Sequence, residues 1–453
     1  MKWLLALGAA VVATVPAVAL SGAPNTDWGR FGYDAARHNV SGDSKITVQN
    51  VSTLVRRQVH LDGTVDSSPI YVDGMFVVTT TYGRTEALNA NTGKVVWRFT
   101  PPAYSRLAGS AQITNATPAA STDRTAVYAA ASDGQIRKLR LTDGKVLWTT
   151  AITRDPTHEK ITSSLNVSRG LVIATTGGYI GDAPPYQGHV VTMSEQSGRI
   201  AHVWNSLCSN RHALIVPSTC ASSDSAIWSR NGAAVDPANG NLVVATGNAP
   251  FNGSTDWGDS VIVLSPDAAR MLRHWTPTDQ QRLNTSDLDL GSTSPALLDG
   301  GYAVQGGKDG KLRLLQLHKL PGVNSKTGGE LQTVPTPGGS MLFSAPAVWR
   351  GKWAFVSDDS GTMAWLLRGA RLHAVWSNGN GGTSPVIAGN LLYVAGSGSV
   401  HVYVPTSGNE VANLPSGSVH WQSPIVADGR VAMPEGNAND HATSGVFDIY
   451  RLP

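Results

Sequence analysis

The stretch Ser68-Pro69-Ile70-Tyr71-Val72, followed by Met75-Phe76-Val77-Val78 and Asn91-Thr92-Gly93-Lys94-Val95-Val96-Trp97, sets out a pattern that the chain repeats. A small residue precedes proline, two short apolar segments flank a glycine turn, and a polar turn leads into Gly-Lys-x-x-Trp. Thr117-Pro118 opens a second copy, which ends in Thr142-Asp143-Gly144-Lys145-Val146-Leu147-Trp148. The small-Pro phrase returns at Ser294-Pro295, Ala345-Pro346, Ser384-Pro385 and Ser423-Pro424. A period of roughly 40 to 50 residues, made of short strands and turns, is typical of a β-propeller.

The repeats predict an all-β, eight-bladed β-propeller whose blades are four-stranded antiparallel sheets. We place the blades at residues 60–100, 112–150, 160–205, 225–276, 290–320, 340–377, 380–414 and 418–450. The repeated tryptophans are interpreted as wedges between neighbouring blades, and some repeats, such as 290–320 and 418–450, lack one. The candidates are Trp97, Trp148, Trp204, Trp275 and Trp376. Completion of the last blade by the N-terminal segment is a common closure for circular folds, but the sequence leaves it open.

The amino-acid composition is consistent with a β-propeller and argues against a nucleic-acid partner. Gly numbers 48, Pro numbers 25 and only 15% of residues are charged, which suits many tight turns between half-buried strands. The formal charge of +3 is small for 453 residues, so we predict no nucleic-acid partner. No linker-like stretch divides the chain, and we predict a single domain over residues 25–453.

The first residues have the pattern of an export signal. Lys2 precedes an apolar run over residues 3–15, and Ala17-Val18-Ala19 fits a small-x-small cleavage rule. We therefore predict a signal peptide over residues 1–19 and an exported protein, periplasmic or extracellular, with no transmembrane segment after cleavage. The alternative is an uncleaved anchor helix, which Pro16 and the small residues after it disfavour.

The two cysteines are interpreted from this predicted export. Cys208 and Cys220 form an even pair in a stretch with little strand pattern, which predicts one disulfide in an oxidising compartment. The alternative, a redox or metal pair, is disfavoured because the spacing is not CxxC and no histidine pair lies nearby.

Several motifs resemble the quinoprotein dehydrogenases that bind pyrroloquinoline quinone. The repeat TGKVVW (92–97) is similar to their tryptophan-docking repeat, and the opening segment DWGRFGYD (27–34) is similar to their W-x-x-x-G-x-D opening. The densest match appears in family order: AIW (226–228), VDP (235–237), ATGN (245–248), WGDSV (257–261), SDLDLG (286–291) and GKDGKL (307–312). The resemblance covers nearly all of the predicted mature chain and implies the same propeller fold.

The resemblance also implies roles for individual residues. Trp228 matches the tryptophan on which the quinone stacks, and Lys308 matches the cation that hydrogen-bonds the quinone oxygens. Asn248 matches a Ca²⁺ ligand that uses its amide oxygen. Asp287 matches the catalytic base that takes the alcohol proton, and we assign it to the metal as well. The implied activity is a quinone- and Ca²⁺-dependent dehydrogenase of alcohols or sugars, which passes electrons to an external acceptor.

Three departures from the family pattern weaken that implication. The chain has no vicinal cysteine pair, and the second-repeat loop, 110–115, has no arginine to pair with a cofactor carboxylate. In the third-repeat loop, 177–188, the family offers a glutamate to the metal, whereas Asp182 is the only acid here. We assign Asp182 to the metal site, although its side chain is one methylene shorter.

Each candidate also has a purely structural interpretation. Trp228 could be a core wedge, Asn248 a left-handed turn residue, and Lys308 an ordinary hairpin tip. Asp287 and Asp289 could cap a turn between blades. The alternative function is therefore a non-catalytic propeller scaffold that binds proteins or glycans in the cell envelope. Convergence of Trp228, Asn248, Asp287 and Lys308 at one mouth of the axis would favour the enzyme.

Overall fold

The computed structural model describes residues 26–396 and 398–453, and the predicted signal peptide lies outside them. Eight antiparallel sheets follow one another along the chain, which confirms the eight-bladed β-propeller. The strands of each sheet lie in sequence order, except that the outer strand of the last sheet comes from the N-terminal segment. Blade 3 carries one additional short strand, because two segments pair with different ends of its long second strand.

The first four blades occupy the N-terminal half of the propeller. Blade 1 contains strands Ile70–Val72, Met75–Thr79, Thr85–Asn89 and Val95–Phe99. Blade 2 contains Ala119–Ala120, Ala126–Ala131, Gln135–Arg140 and Val146–Ala151. Blade 3 contains Glu159–Ile161, Asn166–Ser168, Leu171–Gly178, His189–Ser194 and Ile200–Asn205. Blade 4 contains Ala234–Val235, Leu242–Ala245, Val261–Leu264 and Met271–Trp275.

The other four blades complete the circle. Blade 5 contains strands Ala296–Leu298, Tyr302–Gln305, Lys311–Gln316 and Gln332–Pro335. Blade 6 contains Ala347–Trp349, Trp353–Ser357, Thr362–Arg368 and Arg371–Asn378. Blade 7 contains Val386–Ala388, Leu391–Gly396, Ser399–Tyr403 and Glu410–Pro415. Blade 8 contains Ile425–Ala427, Arg430–Glu435 and Gly445–Arg451, with Val55–Leu61 as its outer strand.

Helical segments of the described residues are short. The α-helices are Tyr104–Leu107 and Gln280–Thr285. The 3₁₀ turns are Val51–Thr53, Pro217–Thr219, Leu290–Ser292, Asp299–Gly301, Leu317–Lys319 and Ala438–Asp440. Within the described ranges, none of the helices has the length and apolar character that a membrane span requires.

The first strand of each blade is the inner one. These strands are buried along their length, whereas the fourth strands alternate between exposed and buried positions. Because the small-Pro phrase immediately precedes inner strands, proline stands where its missing N–H leaves no ladder bond unmade. The loops before the inner strands and the hairpins between second and third strands share one face of the ring, called here the site face.

The tryptophans act as wedges between blades, as the sequence predicts. The indole of Trp97, in blade 1, packs on Gly144 in the turn of blade 2, where an added Cβ would lie 2.5 Å from the ring. Trp148 packs in the same way on Gly198 of blade 3. The indole nitrogen of Trp97 also donates to the Leu141 carbonyl at 2.6 Å. Glycine is required in these turns because the wedge occupies the space of a side chain.

One blade boundary was wrong. The repeat placed at 290–320 extends to Pro335, because its fourth strand follows an insertion, 317–331, that begins with a 3₁₀ turn. This outer strand has no tryptophan. In the last blade the tryptophan is missing for another reason: the outer strand is Val55–Leu61, which pairs with Gly445–Arg451. The N-terminal segment therefore closes the ring.

The opening segment that resembles the family motif crosses the face opposite the site. Its backbone pairs in turn with inner strands around the ring: Trp28 with Tyr71, Gly29 with Ala120, Ala35 with Val235, His38 with Val348, and Asn39 with Ile387. Arg37 is buried, and its terminal nitrogens donate to the carbonyls of Phe31, Ser164 and Leu165. This segment closes that end of the axis with the chain's own backbone.

The cysteine prediction is confirmed. Cys208 and Cys220 form a disulfide with their Cα atoms 6.1 Å apart. The bridge closes a loop between blades 3 and 4, and Gln187 Nε2 donates to Cys220 Sγ at 3.4 Å. In the chain-entropy account, closing a loop of this length stabilises the fold by roughly 3 kcal/mol.

Candidate functional site

A cavity of 430 Å³ opens on the site face where loops from blades 3, 4, 5, 6 and 8 meet. Four sequence-predicted residues line it: Asp182, Trp228, Asp287 and Lys308. Its volume lies in the range of small-molecule sites, and its wall combines aromatic rings with a few charged groups. We call it the site cavity.

Lys308 is the centre of an ion-pair network on this wall. Its Nζ lies 2.9 Å from Asp287 Oδ1 and 2.6 Å from Asp289 Oδ2. Asn248 joins the same network, because its Nδ2 donates to Asp287 Oδ1 at 3.0 Å and its backbone N–H donates to Asp289 Oδ1 at 2.8 Å. The structure therefore brings Asn248, Asp287 and Lys308 together, as the sequence predicts.

Local backbone geometry positions this network. Asp287 has a left-handed φ of 52°, which carries its carboxylate out of the loop after helix Gln280–Thr285, and its side chain is 69% exposed. Gly247 has no room for a side chain, since an added Cβ would lie 2.3 Å from Asp289 Oδ1. The hairpin that presents Lys308 is held by the buried salt bridge between Asp309 and Arg313.

Burial and neighbouring charges shift the pKa values of Asp289 and Lys308 from those of solvent-exposed groups. Burial raises the pKa of Asp289, and the attraction of Lys308 only partly opposes that shift. Burial alone would lower the pKa of Lys308, but Asp289 and Asp287 outweigh it and raise the pKa above its ordinary value. Lys308 is therefore held as a cation on the cavity wall.

Asp259 lies behind this wall and is buried more deeply. Burial raises its pKa well above the usual range, despite hydrogen bonds from the Leu290 N–H and Gln280. Because the charge of Asp289 raises the pKa of Asp259 further, the two carboxyls disfavour being charged together.

Trp228 has aromatic neighbours across the axis. Its ring centroid lies 5.7 Å from that of Trp421 and 5.9 Å from that of Phe343, and Lys308 Nζ lies 5.6 Å from its ring centre. Gly177 leaves space for it, since an added Cβ there would be 3.2 Å from Trp228 Cβ. Trp228 is half-buried, so part of its ring remains on the cavity wall.

Asp182 also reaches the site cavity but is engaged differently. Its Oδ1 accepts a hydrogen bond from the Tyr186 hydroxyl at 2.8 Å. Burial raises the pKa of the nearby Asp224, and the charges of Asp182 and Asp289 add to that shift. Asp182 thus belongs to the acidic side of the site, while its role as a metal ligand stays a prediction.

One polar atom of the network lacks a protein partner. Asn248 Oδ1 is buried and accepts no hydrogen bond from the described residues. Amide and carboxylate oxygens are the donors that a hard cation prefers. Yet within the described ranges no three His, Cys, Asp or Glu side chains are grouped so that they could hold a metal ion. The roles of Asn248 Oδ1 and the Asp287 carboxylate as Ca²⁺ ligands therefore stay a prediction, like that of Asp182.

Sequence reasoning missed several residues around the axis. They stand three positions before the small-Pro proline and meet one another there: Asp66, Asn115, Phe343 and Trp421. Arg230 occupies the equivalent position in blade 4, whose repeat has no proline before its inner strand. It stands three positions before Ala233, the residue that precedes strand Ala234–Val235. Lys160 also lines the site cavity. For Asp66, Asn115, Phe343 and Trp421, the shared position three residues before proline was the sequence signal that could have identified them.

The comparisons with known proteins agree with this architecture. The family described as outer membrane protein assembly factor BamB matches residues 26–246. The quinohemoprotein alcohol dehydrogenase ADH IIB of Pseudomonas putida is 23% identical over 296 residues, which are 58% of this chain and 42% of that protein. The dehydrogenase subunit of the quinone alcohol dehydrogenase of Acetobacter aceti is 24% identical over 268 residues, 50% of this chain and 35% of that protein. The chain thus spans less than half the length of these curated relatives.

Solved structures show the same fold at low sequence identity. The quinohemoprotein alcohol dehydrogenase of Comamonas testosteroni superposes with a TM-score of 0.72 at 16% identity, over 96% of this chain and 82% of that one. BamB of Moraxella catarrhalis superposes with a TM-score of 0.56 at 12% identity, over 88% of this chain and 98% of that one.

The fold and the cavity define a class: eight-bladed propellers whose blades dock through Gly-Lys-x-x-Trp wedges. The matches show that the chain is similar to β-propellers with pyrroloquinoline-quinone-binding-like repeats.

Proposed function

We propose that this protein is an exported, quinone-dependent dehydrogenase that oxidises CH–OH groups of alcohols or sugars. The observation that carries the proposal is the meeting of Trp228, Asp287 and Lys308 on one cavity wall, with Asn248 bonded to Asp287. These residues lie far apart in the sequence and belong to successive loops of the site face. The relatives named as quinohemoprotein and quinone alcohol dehydrogenases support the same chemistry.

In this proposal Asp287 acts as the base. Its carboxylate is exposed to the cavity, and its Oδ1 is fixed by Asn248 Nδ2 and Lys308 Nζ. Hydrogen bonds to one oxygen leave the other available for the hydroxyl proton of a substrate. Asp287 would therefore remove that proton while the carbon-bound hydrogen leaves with its electron pair.

Lys308 supplies fixed positive charge on the same wall. Asp287 and Asp289 keep it protonated, so it can stabilise negative charge that develops on a bound carbonyl oxygen. Pyrroloquinoline quinone, when bound, supplies the two-electron acceptor that the side chains lack. Trp228 and Lys308 would hold that group, while Asn248 Oδ1, Asp287 and Asp182 would hold Ca²⁺. Electrons would then pass to an external acceptor.

Calorimetric titration of pyrroloquinoline quinone with Ca²⁺ into the purified chain tests the proposal. We expect a dissociation constant of about 1 μM or tighter, corresponding to roughly −8 kcal/mol. The double variant Asn248→Ala, Asp287→Ala should lose this binding. Asn239→Ala, on the opposite end of blade 4, is the matched control and should bind as the parent protein does.

An activity assay completes the test. With quinone and Ca²⁺ bound, primary alcohols and sugars should reduce an artificial electron acceptor, and Asp287→Asn should abolish turnover while retaining the fold. Absence of quinone binding by the parent protein would overturn the dehydrogenase proposal.

A second function is a non-catalytic scaffold that binds proteins or glycans in the cell envelope. It is favoured by the match of residues 26–246 to the BamB family and by the packing of Trp228 against Trp421 and Phe343. Failure of quinone binding with an intact fold would favour this scaffold.

A further inference from the structure

Two buried cations flank the ring of Trp421 beneath the site cavity. Lys160 is 4% exposed and Arg230 is 3% exposed. Lys160 Nζ lies 6.0 Å and Arg230 Cζ 5.0 Å from the Trp421 ring centre. Lys160 lines the site cavity, whereas Arg230 lines a neighbouring cavity of 460 Å³, and Trp421 belongs to the walls of both. The cations therefore lie at the boundary between the two cavities.

The protein satisfies these cations only in part. Arg230 Nη2 donates to the carbonyls of Asp66 at 3.2 Å and Asn115 at 2.8 Å. Its Nε and Nη1 are buried and find no acceptor among the described residues. Lys160 Nζ likewise makes no salt bridge there, and Asp66 is the one carboxylate whose field favours its charge. Burying unpaired donors and charges is costly, so such an arrangement needs a function to explain it.

Asp66 does not neutralise both cations. Its two oxygens already accept hydrogen bonds from four donors: Asn115 Nδ2, His420 Nδ1, the Trp421 N–H and the Ala438 N–H. Asp66 is therefore the one carboxylate that favours the charge of Lys160, while Asp358 and Asp359 line the cavity that Arg230 reaches. An anion beside Trp421 would find the unused donors of Arg230 and an ammonium without a salt bridge.

We propose that Lys160 and Arg230 form a carboxylate-binding subsite, which takes a small organic acid or one acidic group of a larger ligand. Nε and Nη1 of Arg230 each offer an unused N–H to a carboxylate oxygen, and the Lys160 ammonium adds a further charged donor. This inference does not rest on the quinone, because it follows from the donors and charges of the chain alone.

The subsite should respond to pH. Burial lowers the pKa of Lys160 to about 7, the charge of Arg230 adds to that shift, and Asp66 opposes it. The groups that face Lys160 are Asp66, Arg230 and His420, while Glu159 beside it is held by His189. Because an anion binds the ammonium form, affinity should fall as the pH rises above 7 and Lys160 loses its proton.

Calorimetric titration of oxalate, without quinone or metal, tests the proposal at constant ionic strength. We expect binding near pH 6 that becomes roughly tenfold or more weaker near pH 9. Lys160→Met should weaken binding by about tenfold or more near pH 6 and remove most of the pH dependence. Lys94→Met, at an exposed turn of blade 1, should bind as the parent protein does.

Further arms separate the outcomes. Inorganic phosphate tests whether the subsite takes any oxyanion, and tighter binding of phosphate than of oxalate would overturn the carboxylate assignment. Arg230→Met should also weaken oxalate binding; if it does not fold, Lys160→Met still decides. Unchanged affinity in Lys160→Met, or no oxalate binding by the parent protein near pH 6, would overturn the subsite. Neither result bears on quinone binding, which is measured separately.

Discussion

The two ends of the propeller axis satisfy a buried arginine to different degrees. At the end closed by the opening segment, both terminal nitrogens of Arg37 donate to backbone carbonyls, and its Nε alone lacks an acceptor among the described residues. At the site face, Arg230 uses only one of its terminal nitrogens, and its Nε and Nη1 find no acceptor among the described residues. The first end is completed by the chain itself, whereas the second retains donors that a ligand can use.

The two buried arginines therefore contribute differently: one stabilises the fold, and the other is available to bind a ligand. A buried cation whose hydrogen bonds are made by the backbone ties segments together, and its removal leaves those carbonyls unpaired. A buried cation with unused donors lowers stability until a ligand binds. Side chains of one type, at similar burial, can therefore serve the fold at one end and recognition at the other.

The largest expected effect is on stability at the closed end. Arg37→Met would leave the carbonyls of Phe31, Ser164 and Leu165 without their donor, and we expect a loss of about 3 to 5 kcal/mol in the free energy of unfolding. Arg230→Met should cost about 1 kcal/mol or less, because it also removes unsatisfied donors. Urea unfolding of both variants measures the difference. Equal losses would contradict the contrast between the two ends.

The next effect concerns catalysis at the site face. Replacing Lys308 by Met removes the cation that Asp287 and Asp289 hold on the cavity wall, and turnover with bound quinone should fall about 10²- to 10³-fold. Steady-state rates at saturating alcohol measure this change. Lys311→Met, three positions further along the same hairpin, is the control and should keep its rate. A fall of the same size in both variants would indicate damage to the hairpin instead.

The third effect is a pH dependence of stability, which is small for each pH unit and accumulates across the titration range of Lys160. The folded-state pKa of Lys160 is lowered to about 7, below its value of about 10.4 in an unfolded chain. Between these values the unfolded chain binds more protons, so the free energy of unfolding should rise by roughly 1.4 kcal/mol per pH unit from this group. Below pH 7 the contribution should be flat. Unfolding midpoints of the parent protein and of Lys160→Met, measured across this window, give the difference. Parallel curves would contradict the assignment.

Much of the fold follows from the repeat because local chemistry determines it. The wedge tryptophans were predicted from the repeat, and the structure adds that Trp97 packs on the turn glycine Gly144 of the next blade. The fourth strand of blade 5 was missed because Gln332–Pro335 has neither a tryptophan nor an apolar alternation. Completion of blade 8 by Val55–Leu61 could not be derived, since the pairing joins opposite ends of the sequence.

The candidate site was predicted where a motif marked it. Asn248, Asp287 and Lys308 stand in phrases of the family and meet in the structure. Lys160 and Arg230 carry no such phrase, and their importance depends on burial and on missing acceptors, which are properties of the folded ring. Without the folded ring, Arg230 cannot be told from a solvated surface arginine.

Ring closure has a consequence for the order of folding during synthesis. Arg56, in the outer strand of blade 8, hydrogen-bonds Asp448 at a separation of 392 positions. Strand Val55–Leu61 is therefore synthesised long before its partner, Gly445–Arg451, and its edge stays unpaired until then. Contacts of such range slow folding and expose edges that can pair wrongly with other chains. The edge of strand Val55–Leu61 therefore has to be protected from incorrect pairing until residues 445–451 have been synthesised.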